Sequence, residues 1–143
     1  MHYEERNMDL FKMPDSYTLA HCISADFKLG AGIAKEFAAR DVKAYLIKTY
    51  PVKWSGNGYA LTAPIHGFNR VFNLITKEYY YRKPTYDTLK EALLSMKSQI
   101  NDNEKIAMPC IGCGLDRLEW DRVKQIIIDT FSDTDVTIVV CHK

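Results

Sequence analysis

Two short glycine-bearing loops carry the strongest chemical signal in this sequence. Leu29-Gly30-Ala31-Gly32-Ile33 and Ile111-Gly112-Cys113-Gly114-Leu115 each follow an apolar, β-prone run and lead toward a helical pattern. Glycine lets a backbone come close to an anion, and the N–H groups at a helix start hold negative charge. In an open α/β sheet, ligands bind beyond the carboxyl ends of the strands, where such loops gather. Either loop taken singly reads more simply as a tight turn. Two of them at strand ends read as a clamp for a diphosphate that needs no arginine.

A dinucleotide fingerprint is the obvious competitor, and it fails. The pattern is Gly30-x-Gly32-x-x-Lys35, without a third glycine. No strand ends in an acidic residue about 20 positions on, because that region reads as helix and then meets Pro51. Cys22, Cys110, Cys113 and Cys141 are expected as free thiols in tight strand-to-loop packing. Cys110-x-x-Cys113 could be half of a zinc site, but the candidate partners, His21-Cys22 and Cys141-His142, lack paired spacing. No metal is expected. Tyr79-Tyr80-Tyr81-Arg82-Lys83 reads as a strand edge with half-buried tyrosines; the alternative is an aromatic, basic lip that stacks on a base or steers an anion.

The elements that must position these loops follow from periodicity. Tyr17 to Ile23 is a buried strand, and from Ile33 the pattern turns helical. Val42 to Tyr50 is a second helix, stopped by Pro51. Ser55-Gly56-Asn57-Gly58 is a turn, followed by the β-like runs Tyr59 to Ile65 and Arg70 to Thr76, read as a hairpin or adjacent strands. Pro84 opens a helix striped by Tyr86, Leu89, Leu93, Met96 and Ile100. Lys105 to Pro109 is a short strand before the second glycine loop. Trp120, Val123, Ile127 and Phe131 stripe the next helix, and Asp135 to Cys141 is an apolar strand. Strands alternating with amphipathic helices imply a sheet covered on both faces.

Bulk properties bound the function. The 143 residues suit one domain, 1–143, with 47% hydrophobic and 26% charged residues. A formal charge of +1 supplies no general basic field, so strong duplex nucleic-acid binding is not expected. No run approaches the roughly 18 apolar residues of a membrane span, and Met1 to Arg6 lacks an apolar signal core. A cytoplasmic monomer, away from membranes, is the expectation.

The stretch Leu19-Ala20-His21-Cys22-Ile23-Ser24-Ala25-Asp26, continuing to Gly30-Ala31-Gly32-Ile33-Ala34, resembles the ligand-binding segment of macrodomains. Leu74-Ile75-Thr76-Lys77, Lys83-Pro84-Thr85-Tyr86 and Met108-Pro109-x-Ile111-Gly112-Cys113-Gly114-Leu115-Asp116-Arg117-Leu118 narrow the resemblance to the terminal ADP-ribose protein glycohydrolase branch. That branch is similar to antitoxin macrodomains that strip ADP-ribose from DNA. The resemblance covers nearly the whole chain, with its motifs in order. It departs from the pattern at Met8, where glycine is usual, and at Cys110, where a larger basic residue can occur.

The resemblance implies a three-layer α/β/α fold with a mixed, largely parallel six-stranded sheet. It implies a hydrolase without cofactor that removes ADP-ribose from acidic side chains, from O-acyl-ADP-ribose or from DNA, the alternative being a non-catalytic ADP-ribose reader. By resemblance, Asp9 accepts from the exocyclic amine of adenine with Leu10 beside it, and Ser24 lies in the cleft. Gly30, Ala31, Gly32, Ile33 and Ala34, with Ile111, Gly112, Cys113, Gly114 and Leu115, wrap the diphosphate and distal ribose. Lys77 and Asp116 match the catalytic pair. The chemistry of those two types agrees. An amine at the end of a buried strand is partly stripped of water, which favours it as a nucleophile toward the C1″ centre of an opened ribose. A carboxyl in the glycine loop can carry protons to the leaving group and from water. Outside the motif, Lys77 reads as a solvated strand-end lysine and Asp116 as a cap or a partner of Arg117.

Overall fold

The computed structural model describes residues 1–143, with the side chain of Leu115 outside the described residues. Among those residues, six strands form one sheet: β1 (His2–Arg6), β2 (Thr18–Ser24), β3 (Tyr59–Ala63), β4 (Arg70–Lys77), β5 (Lys105–Met108) and β6 (Thr137–Cys141). Their order is β1-β6-β5-β2-β4-β3. β3 runs antiparallel to β4 as a hairpin, and the other pairings are parallel.

Alternation along the strands builds two cores. Leu19, Val71, Ile75, Ala107 and Val139 face one side, where Phe37 of α1 (Gly32–Ala38) and Val42 and Leu46 of α2 (Val42–Thr49) cover them. Ala20, Phe72, Leu74, Ile106, Met108, Ile138 and Val140 face the other, under α3 (Tyr86–Lys97) and α4 (Trp120–Phe131). The period of two sends successive side chains to opposite faces, so both must be roofed by helices. The result is a three-layer α/β/α sandwich. Leu89, Leu93 and Met96 of α3 and Val123, Ile127 and Phe131 of α4 are fully buried, on the stripes their spacing predicts. Thr85, rather than Pro84, caps α3: its side chain accepts from Thr88 N–H while the Thr88 hydroxyl accepts from Thr85 N–H.

β1 is absent from the pattern of apolar runs. His2-Tyr3-Glu4-Glu5-Arg6 is a charged edge strand whose place is fixed by backbone pairing with β6. The amino-terminal ends of β2, β4 and β5 are also held by a tie that spacing does not announce. Glu104 has a 4% exposed side chain and meets Arg70 at 2.7 Å. It also accepts from Thr18 Oγ1 at 2.6 Å and from Asn101 N–H at 2.9 Å. Burial pushes its carboxyl up, but the hydrogen bonds from Arg70, Asn101 and Thr18 outweigh this and hold it below its ordinary value. His21, in the middle of β2, is enclosed; it stacks on Phe37 at 3.8 Å and its Nε2 lies 2.7 Å from Asn73 Oδ1. Burial lowers its pKa from 6.5 to about 4, against a smaller upward pull from Asn73, so it stays neutral.

Two outcomes follow from these buried groups. Arg70→Ala leaves the Glu104 carboxylate buried without its cation and should cost about 3 kcal/mol of stability in urea unfolding. Both groups also make the fold acid-labile. His21 binds its proton more readily once unfolded, so stability is retained above 6.5 and lost as pH falls from there toward about 4. The depressed carboxyl of Glu104 has the same sign, its contribution fading as acid protonates it in the fold. Urea midpoints measured from neutral pH downward should decline across that window. A flat profile would mean His21 is not held neutral.

Candidate functional site

The parallel strands deliver their carboxyl ends to one edge. There, the loops after β2, β4 and β5 and the residues after β6 enclose a cleft of about 830 Å³, within the roughly 300–1,000 Å³ of ligand sites. Ser24, Gly30, Ala31, Gly32, Ile33, Ala34, Lys77, Ile111, Gly112, Cys113, Gly114 and Asp116 all line it. Asp9 and Leu10 are not part of its wall. Asp9 caps the 3-10 turn Leu10–Lys12, its Oδ1 accepting Phe11 N–H at 3.0 Å, and Leu10 is buried in the core. The side chain of Leu115 lies outside the described residues.

Asp26 shapes the first loop, a role its sequence position does not reveal. Its Oδ1 accepts from Ser24 Oγ at 2.5 Å and from Lys28 N–H at 3.1 Å, and Oδ2 accepts from Tyr80 N–H at 3.1 Å. Phe27 and Leu29 take left-handed backbone, φ +54° and +42°, at a cost of roughly 1–2 kcal/mol each. Burying both side chains offsets that cost and anchors the loop so that Gly30 to Gly32 face the cleft.

The second loop is closed by Leu118 N–H donating to Gly112 C=O at 2.8 Å. Gly112 and Gly114 sit at φ +75° and +69°, a region that favours glycine. A Cβ on Gly112 would lie 2.8 Å from Leu118 Cδ1, whereas one on Gly114 would meet nothing within 4 Å. This turn presents Asp116 to Lys77.

Lys77 owes its position to a bulge. Ile23 of β2 pairs with Ile75 of β4, but Ser24 pairs with Lys77, so β4 carries one residue more than its neighbour there. Lys77 Nζ donates to Asp116 Oδ1 at 2.7 Å, with side chains 14% and 16% exposed. The partner of Asp116 is therefore Lys77, and not the adjacent Arg117. Beneath them, burial, reinforced by the Asp116 charge, pushes the Cys22 thiol well above its ordinary range, so it stays neutral.

The tyrosine run departs from its sequence reading as a half-buried strand edge. β4 ends at Lys77, and Tyr80 and Tyr81 are 57% and 61% exposed on the cleft rim. Tyr79 and Tyr81 stack at 5.4 Å, and Lys28 Nζ stands 5.4 Å from the Tyr80 ring centre. A lip forms because the chain turns away from the sheet after the bulge. Among the described residues, no group of three or more histidine, cysteine, aspartate or glutamate side chains is arranged to hold a metal ion.

Residues 20–127 match the model of the Macro domain family. The chain is 40% identical to the ADP-ribose glycohydrolase OARD1 of Homo sapiens and to that of Bos taurus, over 92% of this chain and 86% of each relative. Its fold is similar to the macrodomain of Thermus aquaticus DarG, with a TM-score of 0.78 and 21% identity over 97% of both chains. The macrodomain of Mycobacterium tuberculosis DarG gives 0.73 and 20% over 96% of both.

The two glycines of the second loop should respond unequally to a methyl group. Both suffer left-handed strain, but Gly112→Ala also drives Cβ into Leu118. We expect losses of about 2 kcal/mol for Gly112→Ala and about 1 kcal/mol for Gly114→Ala in chemical denaturation. Equal losses would remove the Leu118 contact from this account.

Proposed function

The chain belongs to the Macro domain family, and we propose that it is an ADP-ribosyl hydrolase in which Lys77 is the nucleophile and Asp116 the acid and base. The observation that carries this reading is the 2.7 Å Lys77–Asp116 bond inside a cleft walled by both glycine loops. The identity with relatives named ADP-ribose glycohydrolase supports it.

The diphosphate lies between Gly30–Ala34 and Ile111–Gly114, where glycine admits it closely to backbone N–H groups. The distal ribose reaches Lys77. Passing one proton from Nζ to Asp116 Oδ1 leaves a neutral amine and a protonated carboxyl together. The amine attacks C1″ of the distal ribose, and the C1″–O bond to the substrate's carboxylate breaks as Asp116 gives its proton to that leaving group. Water then attacks C1″ of the lysine adduct, giving its proton to the Asp116 carboxylate, and the amine departs. Acidic side chains, O-acyl-ADP-ribose and modified DNA are the substrate classes. Aspartate- or glutamate-linked, serine-linked and thymidine-linked ADP-ribose, offered side by side, distinguish them. Binding of ADP-ribose without release from any of these would make the protein a reader.

Asp116→Ala should lower turnover by at least about 10²-fold with ADP-ribose still bound. That variant should also accumulate an ADP-ribose adduct, seen as an increase in intact mass and mapped to Lys77. Lys77→Ala and Lys77→Arg should both prevent it, because arginine is not deprotonated in proteins. Full activity in Lys77→Arg would reduce the residue to a positive charge.

Gly32→Glu tests the clamp. The position is open to the cleft, at φ +57° with nothing within 4 Å of an added Cβ. A carboxylate there meets the diphosphate directly, so calorimetry should detect no ADP-ribose binding in the folded variant. Wild-type affinity would overturn the clamp.

A further inference from the structure

The tyrosine lip is the part of the cleft mouth that the hydrolase reading leaves unused. Among the described residues, six large hydrophobic side chains are exposed, and three of the six are consecutive: Tyr79, Tyr80 and Tyr81. A single exposed side chain needs no account, but a contiguous aromatic group at a cleft rim marks a contact surface. The lip is also held in shape. Arg82 N–H donates to Tyr79 C=O at 2.9 Å and closes a turn, and Tyr80 N–H donates to Asp26 Oδ2 at 3.1 Å. Both donors are backbone groups, so the turn does not depend on the rings. Tyr79 and Tyr81 lie within 8° of parallel at 5.4 Å between centres, and Tyr80 meets Tyr81 edge-on at 5.4 Å. The rings are therefore ordered before any partner arrives, which lowers the entropy cost of binding.

Cations frame these rings. Lys28 Nζ stands 5.4 Å from the centre of Tyr80, and the Arg82 guanidinium 5.5 Å from that of Tyr81. The acidic neighbours are Asp26 and Glu78, and neither lines the cleft. The Asp26 carboxylate is already engaged by the Ser24 hydroxyl and by the N–H groups of Lys28 and Tyr80. The lip thus offers flat aromatic surface and positive charge together. An acidic peptide uses only the charge, and a neutral sugar only the rings. A chain of planar bases on a phosphodiester backbone uses both. In a duplex the faces of the bases are closed by stacking on one another, so the strand that fits is a single one. The molecule as a whole carries +1, so the attraction is confined to the lip.

We propose that Tyr80 and Tyr81, flanked by Lys28 and Arg82, form a binding site for single-stranded nucleic acid at the mouth of the cleft. Bases stack on the rings, and phosphates meet the two cations. The site goes beyond the hydrolase reading and rests on the lip alone, not on Lys77 or Asp116. The lip begins two residues beyond Lys77, so a strand seated on it lies on the β4 side of the cleft.

Fluorescence anisotropy of the full chain with a labelled DNA strand about 12 nucleotides long, free of ADP-ribose, tests the site. Binding is expected, and the same sequence as a duplex should bind at least about tenfold more weakly. A ribose strand of that sequence should bind as tightly, because stacking and phosphate contacts do not read the sugar. A polyglutamate peptide should not compete. Tyr80→Ala and Tyr81→Ala should each weaken strand binding by about fivefold or more, whereas Tyr80→Phe and Tyr81→Phe should retain it. Both side chains are more than half exposed and the bonds that fix the turn are made by backbone N–H groups, so these variants should fold. With Lys28 and Arg82 each meeting a phosphate, log K should fall with log salt at a slope of about −1.4, and Arg82→Gln should reduce that slope by about 0.7. The double variant Tyr80→Ala/Tyr81→Ala should keep its affinity for ADP-ribose in calorimetry. A chain that binds the strand but releases no ADP-ribose would overturn the hydrolase reading and leave this site standing. Absent strand binding, equal affinity for the duplex, competition by polyglutamate or a strict preference for one sugar would overturn the proposal. So would unchanged strand affinity in the double variant, or an equal loss there of affinity for ADP-ribose.

Discussion

In a parallel sheet every strand hands its carboxyl end to the same edge, and β2, held between β4 and β5, is where that constraint bears most on this protein. The loop leaving β2, the loop leaving β5 and the terminal residue of β4 must converge there. The Glu104 tie holds the same three strands at their other ends and removes the freedom to slide in register. A slip of one residue would turn Lys77 from the cleft into a core. With register locked, the one-residue bulge before Lys77 becomes a fixed offset that brings its amine to Asp116.

Electrostatics in the cleft are local. A net charge of +1 gives the molecule no field with which to gather anions. Instead, the walls pair Lys77 with Asp116, and Lys28, Lys83 and Lys143 also line the cleft beside thiols that burial keeps neutral. The strain that shapes the loops is equally local. Left-handed φ at Phe27 and Leu29 is tolerable because each side chain anchors in the core, whereas Gly32, Gly112 and Gly114 hold left-handed backbone that glycine adopts without strain, and at Gly112 a side chain would also run into Leu118. One loop is thus fixed by buried bulk and the other by the absence of bulk.

The two faces of the sheet divide the polar work. On the α1/α2 side, His21 and Asn73 bond each other within an otherwise apolar layer. On the α3/α4 side an apolar cluster that includes Ala20, Phe72, Ile106 and Val140 gives α3 and α4 a firm bed. α4 also carries Trp120 to the His142 ring and Lys124 to Glu5.

What the sequence by itself determined were the features with a short period or a local breaker. The strand after Tyr17, the hairpin, the helix opened near Pro84 and the stripe from Trp120 to Phe131 all stand where their patterns put them. So do the two glycine loops at strand ends, because glycine's backbone freedom and a preceding apolar run are both visible within ten residues. The ordered motifs that resemble macrodomains carried the family and the sheet. Tertiary structure decided what depends on pairs distant in the chain. Asp116 chose Lys77, 39 residues away, over neighbouring Arg117; Glu104 found Thr18 across 86 residues; His142 met Glu5 across 137. β1, too charged to read as a strand, exists because β6 offers it a backbone edge, and the tyrosine run became a lip because β4 ends at its bulge. Periodicity reports only which face a residue presents. Which residue it meets is fixed by strand order and register, and those are set by the burial of the whole sheet.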